Sequence, residues 1–300
     1  MPDALLLLPD FTLIVIGWLL CRHTPLNRAV WDGVERLVYY LLFPALLFSA
    51  ILRYPLQPQA AAALAGCGLG VVGLGIALAY ALKAWPGVDA RLHASGAQVS
   101  FRFNSYVALA LAERLAGIQG VAWVALLVAL CVPVCNIAAV WPLARHGGHG
   151  FWRELARNPL IVSTAAGLVC NLVGLRLPDL ATTTLVRIGA AALPLGLMAV
   201  GAGLTFGGLK RAPWLAAAFL SIRHAILPAA AIALTLWLGM PPAQQAIVVA
   251  FAALPTASSA YVLAARMGGD GSFVAGLVTL STLIGMAGLP LALLVLQRMA

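Results

Sequence analysis

Apolar runs of about 20 residues recur along the whole chain, and this repetition limits the fold more than any other feature. Hydrophobic residues make up 63% of the 300 residues, charged residues make up 9%, and the mean hydropathy is +0.99. A water-soluble domain of this composition would expose large apolar patches, whereas a helix of about 20 apolar residues crosses roughly 30 Å of hydrocarbon. The sequence therefore predicts an integral membrane protein built from transmembrane helices.

The runs predict ten transmembrane helices, which we number as spans 1 to 10 in chain order. The first run lacks the basic start and the small-residue cleavage site of a signal peptide, so we expect it to remain as a helix. The expected spans are residues 4–21, 34–52, 60–82, 94–113, 118–141, 159–175, 185–206, 214–238, 244–265 and 272–296.

The basic residues indicate how the helices are oriented. Most of the 18 Lys and Arg residues lie in or beside the odd-numbered connections, and they are scattered rather than clustered on one face. Scattered cations argue against a nucleic-acid partner. Because positively charged loops stay in the cytoplasm, we expect both termini outside, in a protein of the cytoplasmic (inner) membrane that contacts its lipids.

The longest polar connection divides the chain into two halves of five spans. We expect a first five-helix repeat at residues 1–142, a cytoplasmic connecting loop at residues 143–158 and a second five-helix repeat at residues 159–300. An odd number of spans in each half forces the halves into opposite membrane orientations, which defines an inverted repeat. Short sequence matches in the same order, such as Tyr106 with Tyr261, support the pairing.

Two polar segments interrupt the apolar runs at corresponding places in the two halves, at residues 102–108 in span 4 and 254–262 in span 9. Non-helical backbone at membrane depth survives only where it is buried in protein or lines a wet cavity. Paired interruptions of this kind are the best indication of a transporter's substrate site. We therefore expect spans 4 and 9 to be broken crossover helices with the substrate beside them.

The polar residues at the interruptions are the candidate substrate-binding residues. A half-helix that starts after a break presents unpaired N–H groups and a partial positive charge, which favour a carboxylate. Asn104 is the first choice for contact because its amide can donate to a carboxylate, and a purely structural cap is the alternative. The candidate substrate-binding set is Arg102, Asn104, Ser105, Asn136, Pro255, Thr256 and Ser258.

Charged and titratable side chains inside the spans are the candidates for ion coupling or for support of the site. A permanent charge near mid-membrane is costly unless it is paired or in water, so Arg102 holds a substrate carboxylate, lies at an aqueous edge or snorkels. Arg223 presents the same choice, and His224 adds a proton relay. Asp10, near the outer end of span 1, completes the set, with an interfacial position as its alternative.

The remaining polar residues of the sequence do not indicate a site for a metal, a cofactor or a sodium ion. The five cysteines lie in or at the ends of apolar spans and are expected to be small packing residues. Cys131 and Cys135 are one helical turn apart, but no local His or carboxylate joins them. Residues 254–264 contain no carboxylate or amide, so a sodium site is not expected there and protons are the coupling ion to test.

Glycines at regular spacing predict close helix contacts. In lipid, small residues let helix backbones approach each other, and packing then holds the helices together. The glycines expected at such contacts are Gly66 and Gly70 in span 3, and Gly189, Gly196 and Gly203 in span 7.

Four segments together resemble the auxin efflux carrier family, specifically its bacterial members, which are similar in fold to the bile acid sodium symporters. They are RFNSYVALA (102–110), NPLI (158–161), ALPLGL (192–197) and ALPTASSAYVLA (253–264). The resemblance implies a ten-helix fold in which broken spans 4 and 9 cross near the midplane beside the substrate. It also implies a transport bundle of spans 3, 4, 5, 8, 9 and 10 that moves against a scaffold of spans 1, 2, 6 and 7, carrying organic anions such as dicarboxylates or indole acetate.

The sequence thus predicts a secondary active or facilitated transporter of small organic anions, either mono- or dicarboxylates of auxin-like or malonate-like type, that works by alternating access. An enzyme is not expected, because no nucleophile with a base, aspartate pair or zinc motif lies within the apolar spans. A non-transporting membrane sensor or a channel that retains the transporter fold is the alternative. The expected partners are the anion, protons and lipids, and a homodimer stays open.

Overall fold

A computed structural model describes residues 8–53, 58–143, 159–204, 209–257 and 259–299 of the chain. Regular structure within these ranges is helical, and no strand occurs in them. Six of the described stretches are long and apolar enough to cross a membrane, namely Arg28–Leu52, Ala61–Ala84, Ala90–Leu143, Asp179–Ala202, Pro213–Trp237 and Gly271–Met299. Shorter apolar helices occur at Phe11–His23, Val162–Leu172 and Pro242–Ala253.

The described residues of the first half form six α-helices. They are α1 (Leu8–His23), α2 (Arg28–Leu37), α3 (Phe43–Arg53), α4 (Pro58–Ala81), α5 (Ala90–Gly96) and α6 (Ser105–Leu143). α5 continues as a 3₁₀ turn, Ala97–Ser100, and residues 101–104 after it are not helical. α6 contains a kink at Ala116 and Gly117, where Gly117 takes a φ of 57° that only glycine adopts without strain.

The described residues of the second half form eight α-helices. They are α7 (Pro159–Leu172), α8 (Asp179–Ala190), α9 (Ala192–Ala202), α10 (Pro213–Ser221), α11 (Leu227–Trp237), α12 (Pro242–Ala253), α13 (Ser259–Arg266) and α14 (Gly271–Met299). The connecting loop expected at residues 143–158 lies outside the described residues except for Leu143.

Prolines inside two spans coincide with local π-helical turns. One π turn, Val38–Leu42, joins α2 to α3 just before Pro44, and another, Ile222–Ile226, joins α10 to α11 just before Pro228. Proline has no N–H to donate and its ring crowds the carbonyl four residues earlier, which lies inside the π turn in both cases. The wider turn accommodates the proline without ending the helix.

The helices pack in two groups. In the first group, α1 packs on α9 and α7 packs on α3. The first helix of each half therefore packs on a helix of the other half. α2 and α8 also belong to this group. The second group contains α4, α5, α6 and α10 to α14, and it meets the first mainly through contacts of α6 with α3, α7 and α9. An apolar pocket at this meeting is lined by Phe11, Ile14, Val107, Ala110, Leu111, Leu197 and Leu289.

Glycines bring α1 and α9 into backbone contact. A Cβ on Gly17 would overlap the Met198 carbonyl of α9, and a Cβ on Gly201 would overlap the Ile14 carbonyl of α1. Close approach of this kind replaces the hydrophobic effect as the source of helix association in lipid. Gly189, expected from its spacing, also faces backbone, because its Cβ would lie 3.0 Å from the Cα of Leu46.

The expected contact at Gly66 and Gly70 is wrong. Among the described residues, a Cβ on Gly66 would meet nothing within 4 Å, and one on Gly70 would reach only a Leu234 methyl at 3.9 Å. The glycine of α4 that faces a neighbour closely is Gly68, where a Cβ would collide with Leu127 of α6. Regular spacing shows that two glycines lie on the same face of a helix, but it does not show whether that face contacts another helix.

The crossover of the two breaks as a candidate functional site

Helix is interrupted at both places expected from the sequence, at the first break (residues 101–104) between α5 and α6 and at the second break (residues 254–257) between α12 and α13. The breaks touch each other, because the backbone N–H of Asn104 donates to the carbonyl of Pro255 at 2.9 Å. The rings of Phe103 and Phe251 pack beside this bond with centroids 4.5 Å apart. Backbone groups freed by each break are therefore satisfied partly by the other, as a low-dielectric environment requires.

Asn104 caps the start of α6 and still has free donors. Its Oδ1 accepts hydrogen bonds from the backbone N–H of Tyr106 at 3.0 Å and of Val107 at 3.3 Å. Its Nδ2 is buried and has no hydrogen-bond partner among the described residues. The structural cap is thus present, and it uses only the oxygen of the amide, so the two N–H groups remain for a ligand. Ser105, the first residue of α6, is half-buried.

Thr256 lies in the second break, next to the Pro255 carbonyl that accepts from Asn104. Its backbone N–H donates to Oγ of Ser281 in α14 at 3.0 Å. Its own Oγ1 is fully buried and, in the described part of the chain, unpaired. Pro255 is held from the other side, because a Cβ on Gly285 would lie 3.3 Å from the proline ring.

Arg223 supports the second break from the π turn between α10 and α11. Its Nε donates to the carbonyl of Leu254 at 2.6 Å and its Nη2 to the carbonyl of Phe251 at 3.2 Å. These carbonyls belong to the end of α12, where the helix leaves acceptors unpaired. Arg223 is 1% exposed, so it supplies a fixed positive charge inside the bundle while serving as a helix cap.

Arg102 links the first break to the start of α13. Its Nη1 donates to Oε1 of Gln98 at 3.0 Å and its Nη2 donates to Oγ of Ser259 at 3.2 Å. Gln98, which is fully buried, donates in turn to the carbonyl of Ala260 at 3.1 Å. The guanidinium is half-buried at the crossover and is held there by side chains from both breaks.

His224 reaches the second break through Ser281. Its Nε2 lies 2.8 Å from the Ser281 hydroxyl that accepts the Thr256 N–H. Its Nδ1 is buried and makes no hydrogen bond to any described residue.

The remaining candidates from the sequence have no described side-chain contact with either break. Asn136 is half-buried in α6, next to Cys135, whose Sγ donates to the carbonyl of Phe101 in the first break at 3.4 Å. Asp10 lies in α1, and its side chain is outside the described residues, as is the whole of Ser258.

Ser281 and Gln98 take part in the site although neither was a candidate from the sequence. Ser281 stands in a run of hydroxyl residues, Thr279, Ser281 and Thr282, inside the otherwise apolar α14. Gln98 is a buried amide four residues before Arg102. Polar residues within apolar spans are costly and usually functional, so this signal was available in both cases.

The crossover is electropositive. Neither break contains a carboxylate in the sequence. The described carboxylates on the surrounding helices are engaged elsewhere or exposed: Asp89 caps α5 at the Leu92 N–H, Asp270 pairs with Arg211, Glu35 of α2 pairs with Arg28, and Glu113 is exposed. Donor groups and two guanidinium groups therefore dominate the crossover, which suits an anion.

Comparisons with known proteins agree with a transport role. The sequence profile of a family described as "Membrane transport protein" matches residues 142–293. A protein of Rhizobium meliloti (strain 1021) named "Putative malonate transporter" is 26% identical over 299 residues, which covers 94% of this chain and 92% of that protein.

Proposed function

The chain belongs to the membrane transport protein family, which is the family of the auxin efflux carriers, and we propose that it is a secondary carrier of small organic anions that binds a dicarboxylate of malonate size at the crossover. Two buried donor groups carry the proposal: Nδ2 of Asn104 and Oγ1 of Thr256, both without partners among the described residues. They adjoin the hydrogen bond from Asn104 to Pro255. Buried polar groups are rarely left unpaired, so an unpaired pair at a membrane break indicates a ligand.

The charge of the ligand follows from its surroundings. The α6 half-helix begins at the crossover and contributes the partial positive charge of its N-terminus. Arg102 and Arg223 add two permanent cations. Hydrogen bonds between such donors and a carboxylate are shorter and stronger than neutral ones. A small mono- or dicarboxylate fits this set of groups, and the name of the relative favours a malonate-like anion.

The helix order supports ten spans in two inverted five-helix repeats. α1 on α9 repeats the packing of α7 on α3, and the two breaks occupy corresponding places in the two halves. Alternating access would then be a movement of the second helix group, which contains both breaks, against the first. The pattern of basic residues favours the cytoplasmic membrane with both termini outside.

Counterflow in proteoliposomes tests the proposal. Vesicles loaded with unlabelled malonate should take up labelled malonate saturably, whereas malonamide, which has no charge, should neither be taken up nor compete. Asn104→Ala should lose this uptake. Asn171→Ala is the matched control, since Asn171 is also a hydrogen-bonded amide but donates to the carbonyls of Ile51 and Leu52 in the first helix group.

The outcomes separate the competing functions. Loss of counterflow in Asn104→Ala with retention in Asn171→Ala supports a carrier with its site at the crossover. Malonate flux that does not saturate and shows no counterflow would point to a channel. Malonate binding without any flux would point to a sensor. Full counterflow in Asn104→Ala would remove the proposed site.

A further inference from the structure

His224 stands at a distorted place in its span. Pro228 cannot donate to the carbonyl of His224, and the helix responds with the π turn Ile222–Ile226. Single π turns within α-helices occur often at functional sites, where they alter the direction of a side chain. Here the turn carries two adjacent polar residues, Arg223 and His224, and both reach the second break.

We infer that His224 binds the proton that is transported together with the anion, an inference that rests on the function proposed above. Two hydrogen bonds connect the imidazole to the second break: His224 Nε2 to Ser281 Oγ at 2.8 Å, and Thr256 N–H to the same oxygen at 3.0 Å. Nδ1 is buried and has no partner among the residues described. One nitrogen is thus engaged at the site while the other is open.

Protonation of this ring changes its hydrogen bonding in a simple way. When Nε2 carries the proton of the neutral ring and donates to Ser281, Nδ1 holds an unused lone pair. A proton added to that lone pair forms one N–H bond and breaks none, and the ring becomes a cation with two donors. The second donor then has no acceptor in the described protein.

The added charge links the proton to the anion. An isolated cation in a buried site is unfavourable, and the fixed charge of Arg223 makes a second cation there more so. A bound carboxylate removes both penalties, so proton binding strengthens anion binding and anion binding strengthens proton binding to the same degree. The carrier therefore moves the anion with a proton, and a proton gradient drives accumulation of the anion.

Other titratable groups on the helices packed against the π turn do not take this role. Arg223 is always protonated and caps α12. In α4, the Cys67 thiol donates to the sulfur of Met240, and the Tyr80 hydroxyl donates to the carbonyl of Ala138. Arg298 in the last turn of α14 lies about 25 Å along the helix from Ser281, at 1.5 Å per residue.

A gradient experiment tests the inference. Proteoliposomes with wild-type protein, acidic outside, should accumulate labelled malonate above its equilibrium level. His224→Gln, which keeps a donor toward Ser281 but does not titrate, should lose accumulation driven by the gradient, and its affinity for malonate should no longer fall as the pH rises. His93→Gln is the matched control because His93 is also a buried histidine, bonded through Nε2 to the carbonyl of Ala79 at 2.8 Å. It should accumulate malonate like the wild type.

Titration calorimetry of the wild-type protein provides a second measurement that needs no variant. In buffers of different ionisation enthalpy, malonate binding above the imidazole's titration range should take up about one proton, and the affinity should fall up to about tenfold per pH unit. Binding without proton uptake overturns the inference, as does gradient-driven accumulation by His224→Gln equal to the wild type. Absence of malonate counterflow in the wild type instead overturns the proposed function, and this inference with it.

Discussion

Replacing Asn104 by aspartate separates the two tasks of this side chain. The cap on α6 uses Oδ1, which accepts from the N–H groups of Tyr106 and Val107, and a carboxylate oxygen accepts the same bonds at a helix start that favours negative charge. We therefore expect the free energy of unfolding of Asn104→Asp to stay within about 1 kcal/mol of the wild type. Asn104→Ala loses the cap and should be less stable by about 1 kcal/mol.

Binding of the anion responds differently to the same change. Asn104→Asp removes the Nδ2 donors that lie buried without a described partner. A hydrogen bond to a charged group contributes about 1.5–3 kcal/mol, which corresponds to a loss of roughly 10- to 150-fold in malonate affinity, and like-charge repulsion adds to it.

Two assays on the same detergent-purified samples read the two effects separately. Titration calorimetry gives the Kd for malonate, and thermal unfolding without ligand reports the stability. A stable Asn104→Asp with weakened binding supports direct contact. A wild-type Kd in a stable Asn104→Asp would refute it and leave Asn104 as a cap alone.

Three further predictions concern the Arg223 cap, the contact between α1 and α9, and Pro255. Arg223→Met should lower the unfolding free energy by about 3–5 kcal/mol, because two buried carbonyls lose a charged donor, and an unchanged melting temperature would contradict the capping role. Gly201→Ala should lower the melting temperature and the monodisperse yield because its methyl overlaps the carbonyl of Ile14, while Gly66→Ala, with open space around it, should match the wild type in both. Pro255→Ala should slow malonate counterflow more than it weakens malonate binding, and weaker binding at an unchanged maximal rate would assign Pro255 to the shape of the site.

The transport family and the presence of membrane-spanning helices could be predicted from the sequence because both depend on local patterns. Apolar runs report burial in lipid whatever their neighbours are, and six of them correspond to described helices long enough to cross a membrane. The resemblance to the auxin efflux carriers is confirmed by the family match. Asn104 was identifiable as a cap because an amide just before an apolar helical run is a local signal.

The partners of the polar side chains were not predictable in the same way. Arg223 donates to carbonyls 28 and 31 residues further along the chain, and that pairing depends on how α11 and α12 meet. The Ser281 hydroxyl joins His224 to Thr256 only because three helices converge. Helix rotation decided the glycine contacts, so Gly68 rather than Gly66 faces α6. Contacts of this kind arise from tertiary packing, which a single sequence does not encode locally.

The hydrogen bond between the two breaks is made entirely by backbone, from the N–H of Asn104 to the carbonyl of Pro255. Replacement of a side chain on either side leaves both atoms of this bond in place, provided that no proline replaces Asn104. Substitutions at the amide and hydroxyl positions, made to change the cargo of this protein, would therefore leave the backbone hydrogen bond between the two halves in place. The donors proposed to set specificity are side-chain atoms, whereas the contact between the two halves is made by backbone atoms of the same few residues.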